Sequence, residues 1–310
     1  MGCDETDPSF RGDALCEGLE PEREIVMTPE RLLQDFRASS SPPIVYIRLN
    51  DEINHPDSSL SRIGKIISED SSLSARLLKL VNSAFYAFPQ RIGTISEAVF
   101  LVGSHQVRDL ALVTTLMNTF KGIPEDLIST EDFWLHSLGC GTGCKLIAEI
   151  TGESDLERFF LLGVLHDIGK IVLFSTLPVI SQKMLLRVKT ENKSLTLVER
   201  EELGFTHADI GKALAEMWRL PSYLQEVILY HHQPEKALHY PVETAIVHSA
   251  DVLAHALQFG SSGDPFVPML HRPSWEKLSI PFHSISPLME RIDRETGSIA
   301  WLSDSSSKDE

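Results

Sequence analysis

Cysteine is scarce in this chain of 310 residues. There are four, at Cys3, Cys16, Cys140 and Cys144. That is too few, and too unevenly spread, for a disulfide framework, and the chain reads as cytoplasmic with reduced thiols. Positive charge is short as well, with 28 Lys and Arg against 44 Asp and Glu and a net charge of −16. Neutralising a phosphate backbone takes a Lys/Arg surface, so nucleic acid is excluded as the main ligand and an anionic membrane surface is disfavoured. A phosphate-bearing small molecule in a local pocket is still compatible. No uninterrupted apolar run reaches the roughly 18 residues of a membrane span, and no basic segment precedes an apolar stretch at the start, so no secretory leader is expected. The opening M-G-C-D-E-T fits the loose myristoylation pattern at Gly2 and Thr6, but nothing basic follows it. Period-two alternation and internal repeats are also missing, which removes the β and solenoid classes.

What the chain does have is apolar mass, 42% of its residues, spaced for helices. Residues 1 to 24 carry eight acids against Arg11 and Arg23, so residues 1–27 read as a disordered, solvated acidic tail. Thr28-Pro29 opens the first helix, with Thr28 as N-cap. Leu60, Ile63, Ile66 and Ile67 share a helical face. So do Leu73, Leu77, Leu80 and Val81, and the pattern continues to Leu112. A helical half over 28–122 is expected, ended by Gly122-Ile123-Pro124. A second half runs over 123–260 to the breaker cluster Phe259–Pro265, and residues 261–310 form a C-terminal extension with a frayed tail.

The second half carries the chemistry. In L-L-G-V-L-H-D-I-G-K, residues 161–170, His166 and Asp167 stand where a core should be. Burying a carboxylate beside an imidazole is costly unless something pairs with both. Other histidines fall on apolar faces: His136 on the stripe of Phe133, Cys140, Cys144 and Ile147, and His207 at a helix start behind a Thr206–Asp209 capping box. His231 and His232 follow a helix that opens at Pro221, and Asp251 lines up with Val247 and Ala254 in a helix opened by Pro241. Five histidines and two aspartates without thiolate suit Fe, Mn, Zn or Ni, with Fe or Mn favoured, and exclude a zinc finger. Seven ligands exceed one ion's share and suit two divalent transition-metal ions bridged by Asp167. His248, Asp251 and His255 share one helix face and form a rival, lesser cluster. Asp132, four residues before His136, reads as first-turn dipole compensation ahead of a further metal ligand.

In this order the residues resemble the HD superfamily of metal-dependent phosphohydrolases, and more narrowly the HDOD family. The carrying stretches are I-S-E-D-S-S-L-S-A-R-L-L-K-L-V-N-S-A-F-Y (67–86), I-S-E-A-V-F-L-V-G (95–103), L-L-G-V-L-H-D-I-G-K (161–170), G-F-T-H-A-D-I-G (204–211) and H-H-Q-P (231–234). The resemblance implies an all-α fold, an HD-like helical domain with an added N-terminal helical subdomain, and a bacterial signalling role. It also implies that Lys170, three residues after Asp167, faces a phosphate as it does in catalytic relatives, so that Lys170 and Asp167 are the candidate catalytic pair. The HD-GYP cyclic-di-GMP phosphodiesterases are the related enzymes. They carry a glutamate and a D-G-x-G-Y-P stretch after the paired histidines, where this chain has H-H-Q-P-E-K-A-L-H-Y-P. That departure points away from cyclic-di-GMP hydrolysis.

The expected function is therefore a regulatory module with a dinuclear metal site that turns over little or nothing. A phosphohydrolase acting on a nucleotide or cyclic dinucleotide is the alternative. The expected partner is a signalling protein or a nucleotide second messenger.

Overall fold

A computed structural model of the chain describes residues 27–36, 43–120 and 123–304. The acidic tail, the myristoylation pattern, Cys3 and Cys16, and the last residues of the frayed end lie outside the described residues. Every regular element among those described is a helix, as the 3.6-residue spacing and the lack of alternation demand.

A first group comprises α1 (Pro29–Phe36), α2 (Ile44–Ile53), α3 (Leu60–Ser68), α4 (Ser71–Val81), α5 (Ile95–Val102) and α6 (Ser104–Thr119). Side-chain caps set several starts. Ser59 accepts from Arg62 N, Asp70 accepts from Leu73 N, and Thr94 with Glu97 forms a capping box. These caps satisfy backbone donors that helix starts otherwise leave orphaned. Helices α2 to α6 pack on one another, whereas α1 packs on α9 and α12 further along the chain. Its apolar stripe, Leu32, Leu33 and Phe36, is buried there.

A second group comprises α7 (Thr130–Thr151), α8 (Leu156–Leu165), α9 (Ile168–Thr176), α10 (Pro178–Glu191), α11 (Leu195–Leu203), α12 (His207–Met217), α13 (Ser222–Tyr230) and α14 (Pro241–Ala256). The C-terminal extension adds α15 (Arg272–Lys277) and α16 (Ile285–Ile299). The long helix α7 is the spine, with α8, α14 and α16 packed around it. Its middle reads G-C-G-T-G-C (139–144), and the small residues let α8 come close. A Cβ built on Gly163 would lie 2.6 Å from Gly141 Cα and 2.7 Å from Cys140 O. Only glycine permits that backbone approach.

Leu156–Thr176 has the length and hydropathy of a membrane span, but 89% of its most apolar window is buried inside the fold. The His166–Asp167 turn interrupts it. Helices α6 and α8 join the two groups, and the Asn82–Tyr86 stretch packs into that region. Phe85 lies 4.9 Å from Phe160 between ring centroids, and the buried Lys145 ammonium sits 3.7 Å over Phe85 while donating to the Phe85 carbonyl.

Candidate metal centre

The site forms where one helix stops and another starts. Helix α8 ends at Leu165 and α9 begins at Ile168. Asp167 occupies the N-cap position of α9 with no capping hydrogen bond from its side chain, so the carboxylate is left for other partners. It receives Lys170 Nζ at 2.6 Å on Oδ2, and His207 Nε2 stands 3.1 Å from Oδ1. His166 Nε2 lies 3.3 Å and His231 Nε2 3.6 Å from the same carboxylate. His232 Nε2 lies 3.1 Å from His207 Nε2. On the far side His166 reaches Asp251 Oδ1 at 3.6 Å, and Asp251 meets His136 Nε2 at 3.1 Å. All seven residues singled out in the sequence thus fall into one continuous cluster, drawn from α7, the α8–α9 turn, α12, the end of α13 and α14. Six of them are essentially buried and His232 is half-buried.

Donor atoms converge in three overlapping sets: Asp167, His207, His231 and His232; His136, His166 and Asp167; and His136, Asp251 and His255. Asp167 and His136 are each shared between two of these sets.

The imidazole tautomers support the fit. His166 Nδ1 faces the Gly163 carbonyl at 2.6 Å and His231 Nδ1 the Ile228 carbonyl at 2.7 Å. A carbonyl can only accept, so each Nδ1 carries the proton and each Nε2 presents a lone pair inward. His207 does the same through the Glu199 carboxylate at 2.8 Å. Lone pairs then face carboxylate oxygens at close range. His166 Nε2, His231 Nε2, Asp167 Oδ1 and His136 Nδ1 have no hydrogen-bond partner although they are buried. Orphaned buried groups of this kind are expensive, and cations between them resolve the conflict. A divalent metal fits the donor set.

The electrostatics agree. Burial would raise the pKa of both carboxylates. His166 and Lys170 beside Asp167, and His136 and His166 beside Asp251, outweigh it and hold both well below the usual carboxylate range. Burial pushes His231 and His255 down to about 4, and burial with His231 and His207 alongside holds His232 low too. These three rings are neutral at pH 7 and ready to coordinate. Burial also lowers His166 and His207, but Asp167 beside the first and Glu199 beside the second turn the balance upward, so there a metal competes with a proton.

The sequence leaves two residues, His255 and Glu199, out of the main set. His255, placed with a rival cluster on α14, belongs to the main one. Its Nε2 is 3.4 Å from Asp251 Oδ1, and its ring lies 4.5 Å from that of His136. Its supposed companion His248 turns away: Nδ1 donates to the His231 carbonyl at 2.9 Å, and Nε2 accepts the His271 N–H at 2.9 Å. It fixes the backbone that carries the paired histidines. Asp132 is exposed in the first turn of α7, in keeping with dipole compensation. Lys170 is buried, its ammonium engaged by Asp167 and by Ser262 Oγ at 3.0 Å.

Glu199 is the second residue missed. It is fully buried on α11 and grips His207 twice, accepting from the backbone N–H at 3.0 Å and from Nδ1. In sequence it sits in V-E-R-E-E, which reads as a solvated charged face. A carboxylate behind a ligating imidazole sets its tautomer and raises its basicity. Glu199→Gln should therefore weaken metal retention by about 10–100-fold with little loss of helix content. Competition against a graded series of chelators would read the change; unchanged affinity would refute the positioning role.

The cluster can be set beside known proteins. The chain matches the HDOD domain model over residues 40–234. An uncharacterized protein of Treponema pallidum (strain Nichols) is 31% identical over 195 residues, which is 61% of this chain, and the chain spans only 37% of that relative's length. Among solved structures, an HDOD domain protein of unknown function from Geobacter sulfurreducens is similar with a TM-score of 0.73 and 25% identity, over 88% of this chain and 97% of the other. A candidate phosphohydrolase from Shewanella amazonensis shares the fold with a TM-score of 0.68 and 24% identity, over 88% and 98% of the two chains. With the family model covering well over half of the chain, and with its helices and His/Asp cluster as described, this protein belongs to the HDOD family.

Proposed function

We propose that this chain is a signal-transduction HDOD module whose HD-like half, residues 123–260, holds two divalent transition-metal ions, Fe or Mn in preference to Zn or Ni. One ion would rest on Asp167, His207, His231 and His232, and the other on His136, His166, Asp251 and His255, with the Asp167 carboxylate within reach of both. The observation that carries this reading is the set of inward-facing, unpartnered nitrogens around two buried carboxylates. Bound there, such ions would lower the pKa of a coordinated water and offset charge on a phosphate ester.

The chain's own residues favour holding over turnover. Lys170 is committed to Asp167 and Ser262 and is closed off from solvent. The cluster borders open space at His232, which lines a cavity of about 330 Å³ together with Thr206, Tyr230, Arg200 and Lys236. Arg200 is partly spent there on Asp209 at 3.5 Å. The stretch from His231 to Pro241 has no glycine, so no segment there lets a backbone approach a dinucleotide closely.

A second reading, hydrolysis of a nucleotide or cyclic dinucleotide, is favoured by that same cavity, because its two cations, Arg200 and Lys236, line it together with His232. A timed incubation separates the readings. Metal-loaded protein should turn over cyclic-di-GMP slowly or not at all by chromatography. Steady turnover that Asp167→Ala abolishes would establish the enzyme reading instead.

A further inference from the structure

A groove lies away from the metal centre and shares no lining residue with the cavity beside His232. It has a volume of about 830 Å³ and runs between α4, the loop after it and the end of α16 with the turn that follows. That is within the range of small-molecule sites, about 300–1,000 Å³. Its walls include Lys79, Ser83, Phe88, Gln90, Arg91 and Trp301.

Charge is the first clue. The chain has 44 acids and 28 Lys and Arg, yet among the described residues no acid lines this groove and two cations do. The Arg91 side chain makes no hydrogen bond or ion pair among the described residues, and Lys79 makes none either; its ammonium rests 3.9 Å over the Trp301 ring. Glu97 comes near Gly93 but is turned onto the backbone N–H groups of Gly93 and Thr94. Two unneutralised cations in a concavity of a strongly acidic protein concentrate small anions locally.

Pre-organisation is the second. The Asn82 side chain accepts from Ile92 N at 2.8 Å and donates to Ile92 O at 2.9 Å and Leu78 O at 2.7 Å. It ties both ends of the 82–92 loop together and fixes the wall. This gives Asn82, at the head of the N-S-A-F-Y stretch, a definite task.

Aromatic surface is the third. Phe88 stacks in parallel on Tyr86 at 5.9 Å, and Trp301 is half-buried beside Lys79. Aromatic faces beside cations suit a planar ring carrying a phosphate, since stacking tolerates any base and a guanidinium grips phosphate bidentately.

We propose that the groove between α4, the 82–93 loop and Trp301 is a binding site for a small nucleotide, with Arg91 and Lys79 on the phosphate and Phe88 and Trp301 against the base. It is an input site between the first group of helices and the end of α16, separate from the metal centre, and it does not depend on metal. Calorimetric titration of the full metal-loaded chain with GMP tests it, with inorganic phosphate and guanosine as half-probes. GMP should bind saturably below millimolar concentration, and each half-probe at least ten-fold more weakly. Arg91→Glu should weaken GMP at least ten-fold with an unchanged melting curve, because Arg91 supports nothing else. Lys79→Gln should weaken it as well. Any one of three results overturns the assignment: no saturable GMP binding, equal GMP affinity in Arg91→Glu and wild type, or a half-probe that binds as tightly as GMP.

Discussion

Replacing Asp167 by alanine should strip the metal and lower stability together, whereas Asp132→Ala should do neither appreciably. Asp167 accepts a buried lysine and stands within 3.6 Å of His166, His207 and His231. Removing it leaves the Lys170 ammonium without its carboxylate. Losing one partner of a buried ion pair costs about 3–5 kcal/mol. It also removes the donor shared by two of the converging sets, so the remaining imidazoles surround a site that can no longer hold its ions as a pair. Asp132 is exposed, and its loss removes only a favourable charge near the first turn of α7. Elemental analysis after chelator-free purification should give about two ions per chain for wild type and Asp132→Ala, and well under one for Asp167→Ala. Urea midpoints should fall in the same order. Equal metal content and equal midpoints in the two variants would remove Asp167 from the centre of the site.

The contrast between these aspartates shows what the sequence makes legible. Asp167 was readable because it interrupts an apolar run, and a charge there has to be explained. His136 and His207 were readable because each shares a helical stripe with residues that are plainly core. The helix starts at Thr206, an N-cap, and Pro241, a first helical residue, are readable because their signals are local. His255 was not, because its helix face also carries His248, and sequence cannot say which of two imidazoles seven residues apart tilts inward. The structure separates them through the His248 bonds to the His231 carbonyl and the His271 N–H. Glu199 was hidden by its neighbours. Arg187 and Lys193 meet Glu191, Glu201 and Glu202 at the surface, and the same run of acids conceals the one member that points in. The packing of α1 on α9 and α12 is a long-range choice that periodicity does not encode. Lys170 was placed by resemblance to catalytic relatives; its present bonds to Asp167 and Ser262 depend on residue 262, far along the chain, which no local pattern links to it.

Gly169→Ala should be as damaging as the loss of a ligand, although Gly169 coordinates nothing. It lies in the first turn of α9, two residues after Asp167, where α9 crosses the start of α12. A Cβ there would fall 1.9 Å from the His207 carbonyl oxygen and 2.6 Å from Gly211 N. Both are backbone atoms of α12, so no rotamer change relieves the clash and the two helices must separate. Overpacking a core by a methyl typically costs about 1–3 kcal/mol, and a purely backbone contact belongs at or above the top of that range. The displaced segment begins with His207, so the 3.1 Å approach of His207 Nε2 to Asp167 Oδ1 opens at the same time. Stability and metal content should therefore fall together, by backbone displacement alone. Gly211→Ala is a graded comparison: its Cβ meets the Ile228 Cγ2 methyl at 2.7 Å, which can shift, and the Gly169 backbone N only at 3.3 Å. Gly297→Ala is the control, since nothing lies within 4 Å of its Cβ and the helix gains up to about 1 kcal/mol from alanine's higher propensity. Thermal melts and metal content of the three variants should rank Gly169→Ala lowest, Gly211→Ala between, and Gly297→Ala at or above wild type. A Gly169→Ala protein that melts like wild type and keeps its metal would show that the α9–α12 crossing yields freely, and that His207 is not held in place by the contact at Gly169.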